Sequence, residues 1–205
     1  MNGRPGWLKA YGTPWVRGEG RMIYDNPWIR VTEHDATAPT GRPALYGLVS
    51  FKNRAVAILP LHDDGTIVLV GQHRLPHGGY SWEIPEGGGP LHEEPLEAAR
   101  RELAEETGLA AAEWREVLRG AQLSNSITDE VAYGYLALGL SEAGDGYRAD
   151  DTEAIATVRV PFREALEAAT SGSLSDILTV AMLLRAYHMA GEGSLPPAVA
   201  RAMLG

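Results

Sequence analysis

Residues Gly87 to Leu109 read GGGPLHEEPLEAARRELAEETGL. Within this run Glu102, Glu105 and Glu106 are spaced three and four apart. On an α-helix such spacing sets all three carboxylates on one face. Like charges so placed repel and cost an isolated helix roughly 0.2–0.5 kcal/mol per pair. A divalent cation offsets that repulsion well, because carboxylate oxygens are the ligands that Mg²⁺, Mn²⁺ and Ca²⁺ prefer. Pro95 suits a first helical turn, where a missing N–H costs nothing. Glu93, Glu94 and Glu97 load the N-terminal end with negative charge, which favours the helix dipole. Gly108 is placed to end the helix in a left-handed conformation. Leu96, Ala99 and Leu103 form a neighbouring apolar face. The stretch therefore reads as a loop, an amphipathic helix with one acidic face, and a terminating glycine.

The rest of the chain bounds what that helix belongs to. At 205 residues it is long enough for a sizeable core. With 44% hydrophobic and 22% charged residues it has ordinary globular composition. A net charge of −9 makes it a poor partner for nucleic acid. The same charge is compatible with a phosphate substrate, since bound metal supplies local positive charge. There is no cysteine, which removes disulfides, zinc thiolates and a thiol nucleophile and suits a cytoplasmic location. The sequence has no long apolar run for a membrane span, and its first residues lack the apolar core of a signal peptide.

Along the chain, residues 1–20 read as an irregular arm. Strands are expected at Met22–Val31 and Leu45–Asn53, separated by a loop at Asp35–Arg42. These make a small N-terminal antiparallel β-unit over residues 1–53. A main domain is expected over residues 54–205. It begins with a strand at Ala55–Leu61, a hairpin turn at His62–Gly65 and a return strand at Thr66–Val70. A short strand at Ser81–Pro85 leads to the acidic helix. Strands follow at Trp114–Leu123, Val131–Leu140 and Ile155–Val160, with a polar loop at Ser141–Asp151. Helices are expected from Pro161 to about Thr170, from a Ser175-Asp176 cap to about Met189, and over Pro197–Leu204. This order predicts an α/β fold.

The spacing carries a resemblance. Gly87, Glu93, Arg101-Glu102, Leu103, Glu105-Glu106, Gly108 and Leu109 fill every fixed position of the box that marks Nudix hydrolases. Gly71-Gln72-His73-Arg74, His77-Gly78-Gly79-Tyr80 and Trp82-Glu83-Ile84-Pro85 resemble the run before that box in the ADP-ribose pyrophosphatase branch. So do Asp151–Ile155 and Ser173-Leu174-Ser175-Asp176. The resemblance covers roughly residues 20–190. It implies the Nudix fold, a mixed β-sheet sandwiched between helices. Two departures stand out. His92 occupies a position that is often Gly, and Ser124–Glu130 lacks a Pro-Gly pair common in the branch.

The resemblance also implies roles. Glu102, Glu105 and Glu106 bind divalent metal, Mg²⁺ first and Mn²⁺ as an alternative, and the backbone carbonyl of Glu86 joins them. Arg101 and Glu93 orient these ligands. The base that activates water lies before the strand at Ile155, as Glu153 or Asp151, and Glu153 is also a candidate metal ligand. Glu130 is a second candidate for that base and a candidate for substrate binding. Arg74 is a candidate for a bidentate phosphate contact, against a plain salt bridge to Glu83. Trp28 is a candidate for stacking a nucleobase, against plain packing, while Tyr46 and Trp82 are read as packing. His62, His73, His77 and His92 form no recognised metal-ligand spacing.

The activity implied is hydrolysis of the diphosphate in a nucleoside diphosphate sugar. ADP-ribose, yielding AMP and ribose 5-phosphate, stands first. GDP-mannose or another nucleotide sugar is the alternative, as is a Nudix domain that senses a nucleotide without cleaving it. In similar enzymes the N-terminal strands pair across a two-fold axis, so a homodimer is expected.

Overall fold

The computed structural model describes residues 5–144 and 154–205. Asp151 and Glu153 lie outside the described residues. The chain divides into two units, Met1–Lys52 with Ser124–Asp129, and Asn53–Leu123 with Glu130–Gly205.

The first unit is a three-stranded antiparallel meander: β1 (Val16–Asp25), β2 (Ile29–Thr37) and β3 (Pro43–Phe51). The single strand expected at Met22–Val31 is broken in two. Asn26 causes the break, because its side-chain oxygen accepts from the N–H groups of Trp28 at 2.9 Å and Ile29 at 2.7 Å and closes a turn. The loop expected at Asp35–Arg42 is shorter, since Ala36 and Thr37 still pair with Ala44 and Pro43. Residues Ser124–Asp129 dock on β3. The Val49 N–H donates to the Ile127 carbonyl at 2.9 Å, and the Phe51 N–H donates to the Asp129 carboxylate at 3.0 Å. The Tyr46 hydroxyl donates to the Ser126 carbonyl.

The second unit carries β4 (Asn53–Pro60), β5 (Thr66–Arg74), β6 (Gly79–Glu83), β7 (Glu86–Pro90), α1 (Pro95–Thr107), β8 (Leu109–Gln122) and β9 (Val131–Glu142). It ends with β10 (Ala156–Pro161), α2 (Phe162–Ser171), α3 (Ile177–Gly191) and α4 (Pro197–Leu204). A four-stranded sheet runs β7-β4-β9-β8, with β4 parallel to β9 and antiparallel to β7. A three-stranded sheet runs β10-β5-β6.

Two expectations fail here for the same reason. The turn at His62–Gly65 forms, with Gly65 at φ +80°, but β4 and β5 do not make a hairpin ladder. They meet at one bridge, Leu61 to Ile67, and then enter different sheets. Residues 86–90, read as loop, are strand. Three glycines give no local strand preference, yet Gly87 and Gly88 pair with Val56 and Ala55. In both cases non-local pairing decides the outcome.

Strand β4 also organises the core. Successive side chains alternate between faces. Val56 and Ile58 pack with Ala98, Ala99 and Leu103 of α1. Ala57 and Leu59 belong to the opposite cluster, with Leu178, Met182 and Leu183 of α3 and Met203 of α4. The sheet thus lies between helices. Ile58, Leu59, Leu103 and Met182 are each fully buried, a burial worth about 1.5–3 kcal/mol per side chain. No described helix is long and apolar enough to cross a membrane.

Candidate active site

Helix α1 has the ends its sequence requires. Pro95 occupies the first turn, and Gly108 adopts φ +67° with its N–H donating to the Ala104 carbonyl at 2.9 Å. Ala98, Ala99, Leu103 and Ala104 are buried. That fixes the rotation of the helix and turns the Glu102, Glu105 and Glu106 face toward β7.

The repulsion among these glutamates is offset first by the protein itself. Arg101 Nη1 donates to Glu102 at 2.8 Å and to Glu105 at 2.9 Å. Its Nη2 donates to the Gly88 carbonyl at 3.0 Å and lies 3.5 Å from Glu93. Arg101 therefore clasps the acidic face to β7 and to the loop before the helix. Burial opposes its charge, but Glu102 and Glu105 outweigh burial and raise its pKa.

Strand β7 passes close beneath the helix. A Cβ added to Gly87 would overlap the Glu102 carboxylate, and one on Gly89 would come within 2.8 Å of the Ala98 Cβ. Glycine at these positions lets helix and strand approach. Next to Gly87, the backbone N–H of Glu86 donates to Glu106 at 3.1 Å.

A second carboxylate group abuts the first. Glu83, Glu86 and Asp176 each offer an oxygen, all within 4.8 Å of one another. Arg74 enters this group, with Nε donating to Glu83 at 2.8 Å and Nη2 lying 2.5 Å from Glu83 and 3.2 Å from Glu86. The other Glu86 oxygen is buried and has no hydrogen-bond partner among the described residues. Burial pushes the Glu86 carboxyl well above the usual glutamate range, reinforced by Asp176 and Glu83 and opposed by Arg74. Burial also raises Glu83, against the charge and hydrogen bond of Arg74.

The structure thus gathers Arg74, Glu86, Glu93, Arg101, Glu102, Glu105 and Glu106. Glu130 belongs to the strand end rather than to the helix. It precedes β9 at the end of the sheet where Asn53 faces Pro90, whereas Glu86 faces Ala57. Trp28 belongs to the first unit, exposed in the turn between β1 and β2. Sequence reasoning missed Asp176 and Thr179 as neighbours of the site. Asp176 was legible as a helix cap, and it does accept from the Thr179 N–H at 2.7 Å. Its distance in sequence from Glu83 hid their proximity.

The donor set is made of hard oxygens, with the Glu102 carboxylate lying close over Gly87. It fits a divalent cation such as Mg²⁺ or Mn²⁺. Residues 51–178 match the family model of the NUDIX domain. The chain belongs to the Nudix family. It goes with the family's ADP-ribose pyrophosphatase branch and is a pyrophosphohydrolase, of a kind that uses divalent metal. This Nudix chain is 36% identical over 145 residues to an ADP-ribose pyrophosphatase of Mycobacterium tuberculosis, covering 70% of this chain and 69% of that one. It is 31% identical over 158 residues to an ADP-ribose pyrophosphatase of Bacillus subtilis, covering 77% and 84%. A solved structure described as an ADP compounds hydrolase superposes with a TM-score of 0.76 at 19% identity. That match covers 91% of this chain and all of the other, and it shows a shared fold.

Proposed function

We propose that this Nudix enzyme hydrolyses ADP-ribose to AMP and ribose 5-phosphate with Mg²⁺. The observation that carries the reading is the acidic face of α1 held against Glu86 and Gly87 of β7, in a chain similar to two ADP-ribose pyrophosphatases. Glu102, Glu105, Glu106 and the Glu86 carbonyl would hold the cation. When bound, it neutralises diphosphate charge and acidifies the attacking water. Water adds to one phosphorus, the P–O–P bond breaks, and the leaving phosphate takes the bridging oxygen. Glu153 or Asp151 receives the water's proton. Arg101 and Glu93 hold the ligands in place. Arg74, paired with two carboxylates, would exchange one of them for a phosphate oxygen. Trp28 is assigned to stacking the nucleobase. Glu130 is a second candidate for the base that activates water.

The same proposal includes a homodimer in the cytoplasm, with neither nucleic acid nor membrane as partner. Strand β1 is an end strand whose residues are all exposed, Met22, Ile23 and Tyr24 among them. A second copy would cover it.

A panel of ADP-ribose, GDP-mannose and nucleoside triphosphates with Mg²⁺, read by chromatography, tests the substrate. AMP and ribose 5-phosphate from ADP-ribose are expected. Cleavage of triphosphates alone overturns the reading, and binding without cleavage makes the domain a sensor. Light scattering tests the dimer, since a mass near 22.1 kDa, that of one chain, overturns it.

A further inference from the structure

The turn between β6 and β7, residues Glu83 to Glu86, supplies both the Arg74 partners and the backbone that meets Glu106. It is fastened at three successive residues from three different elements. The Ile84 N–H donates to the Thr179 hydroxyl of α3 at 2.9 Å. The Pro85 carbonyl accepts from the Ile58 N–H of β4 at 2.8 Å. The Glu86 N–H donates to Glu106 of α1 at 3.1 Å. Of these, Thr179 is the one anchor made by a side chain with no charge and no place in the metal-binding face.

Thr179 is built for that task. It is fully buried. It sits three residues after Asp176, which caps α3 by accepting the Thr179 N–H at 2.7 Å. The cap thus uses the Thr179 backbone and leaves its hydroxyl free to serve another element. A glutamate at this helix position would fold back onto the cap, whereas this threonine reaches across to Ile84 in the turn after β6. The same cap places Asp176 beside Glu83 and Glu86. Three carboxylates at such separations repel, and Arg74 supplies one positive charge among them. Opening this turn would carry the Glu86 backbone off Glu106. The Thr179 bond to Ile84 opposes that opening from the side away from α1.

We propose that Thr179 is a positioning residue for the metal-binding face, acting through the Ile84–Glu86 turn on the Glu86 backbone and Glu106. The assignment rests on the hydrolase reading above for its catalytic arm, but not for its metal-binding arm.

The test compares Thr179→Val, which keeps the shape and removes the acceptor, with Thr179→Ser, which keeps the acceptor. Both are made in the full chain. Mn²⁺ binding is titrated by calorimetry without substrate, and kcat and KM are measured on ADP-ribose well below each variant's Tm. Thr179→Val is expected to weaken Mn²⁺ binding and to lower kcat by about tenfold or more, the effect usual for outer partners of metal ligands. KM should change much less. Thr179→Ser should restore both quantities to near wild type. If Thr179→Val does not fold, Thr179→Ala is compared with Thr179→Ser in the same way. A lowered Tm with unchanged Mn²⁺ affinity overturns the proposal, as does a Ser variant no better than the Val or Ala variant. If the wild type leaves ADP-ribose intact, the substrate reading fails while the Mn²⁺ titration still decides the role of Thr179.

Discussion

The backbone N–H of Glu86 donates to the carboxylate of Glu106 at 3.1 Å, across 20 residues of sequence. One bond thus links the strand that precedes the Nudix helix to the last glutamate of that helix. It aligns one Glu106 oxygen, while Arg101 and the buried apolar side of α1 hold the rest of the acidic face.

Replacing Glu106 with Gln keeps an acceptor for that N–H and removes a charge. Folding should therefore persist, with a Tm within a few degrees of wild type. Turnover of ADP-ribose should fall by more than about 100-fold, beyond what outer partners of a metal ligand usually cost. Steady-state kinetics with a thermal melt on the same sample checks this, and undiminished turnover would remove Glu106 from the metal site.

Gly87→Ala puts a methyl group where the Glu102 carboxylate lies. Either β7 or Glu102 must move. A stability loss of about 1–3 kcal/mol is expected, as for overpacking elsewhere. Mn²⁺ affinity should fall at the same time. A denaturant melt and a Mn²⁺ titration measure the two effects, and an alanine that leaves both unchanged would show the close approach to be unimportant.

Arg101→Lys tests the clasp. A lysine ammonium is a point charge and cannot reproduce a planar fork that reaches Glu102, Glu105 and the Gly88 carbonyl together. Catalytic efficiency should fall by about 10–100-fold, with a higher Mg²⁺ concentration needed for half-maximal rate. A lysine variant with wild-type Mg²⁺ dependence would reduce Arg101 to a surface charge.

The Glu86 carboxyl gives a pH dependence in protein stripped of metal by chelator. Its pKa is raised on folding, first by burial and then by Asp176 and Glu83. The folded state therefore binds a proton that the unfolded state has released. Its contribution to stability should be full below the ordinary glutamate value of 4.5 and should be lost as pH rises through the raised value. Glu86→Gln should flatten this decline and raise the Tm at neutral pH. A Tm that climbs with pH over the same range would contradict the assignment.

What the sequence disclosed follows a physical boundary. Pro95, Gly108, the acidic spacing and the Asp176 cap act within a few residues of themselves, and each is found where local rules place it. The family pattern added what those residues do together. The rest depends on partners far away in the chain. Gly87–Pro90 is strand because β4 pairs with it. The segments Ala55–Leu61 and Thr66–Val70 have hairpin chemistry between them, yet β4 and β5 enter separate sheets. Arg74 could be read either for phosphate or for Glu83, and the fold shows it paired with Glu83 and Glu86. Asp176 reaches that group through the docking of α3, a tertiary event that no local pattern announces.

The three fastenings of the Ile84–Glu86 turn also differ in the length of chain that each closes. The bond from Ile84 to Thr179 spans 95 residues, whereas α1 is closed by bonds four residues long. Contacts of long range form late, after their loops have closed. In refolding from denaturant, helical signal should return before catalytic activity. Recovered turnover then marks completion of the second unit, and a fragment ending before α3 should regain helix without regaining hydrolysis.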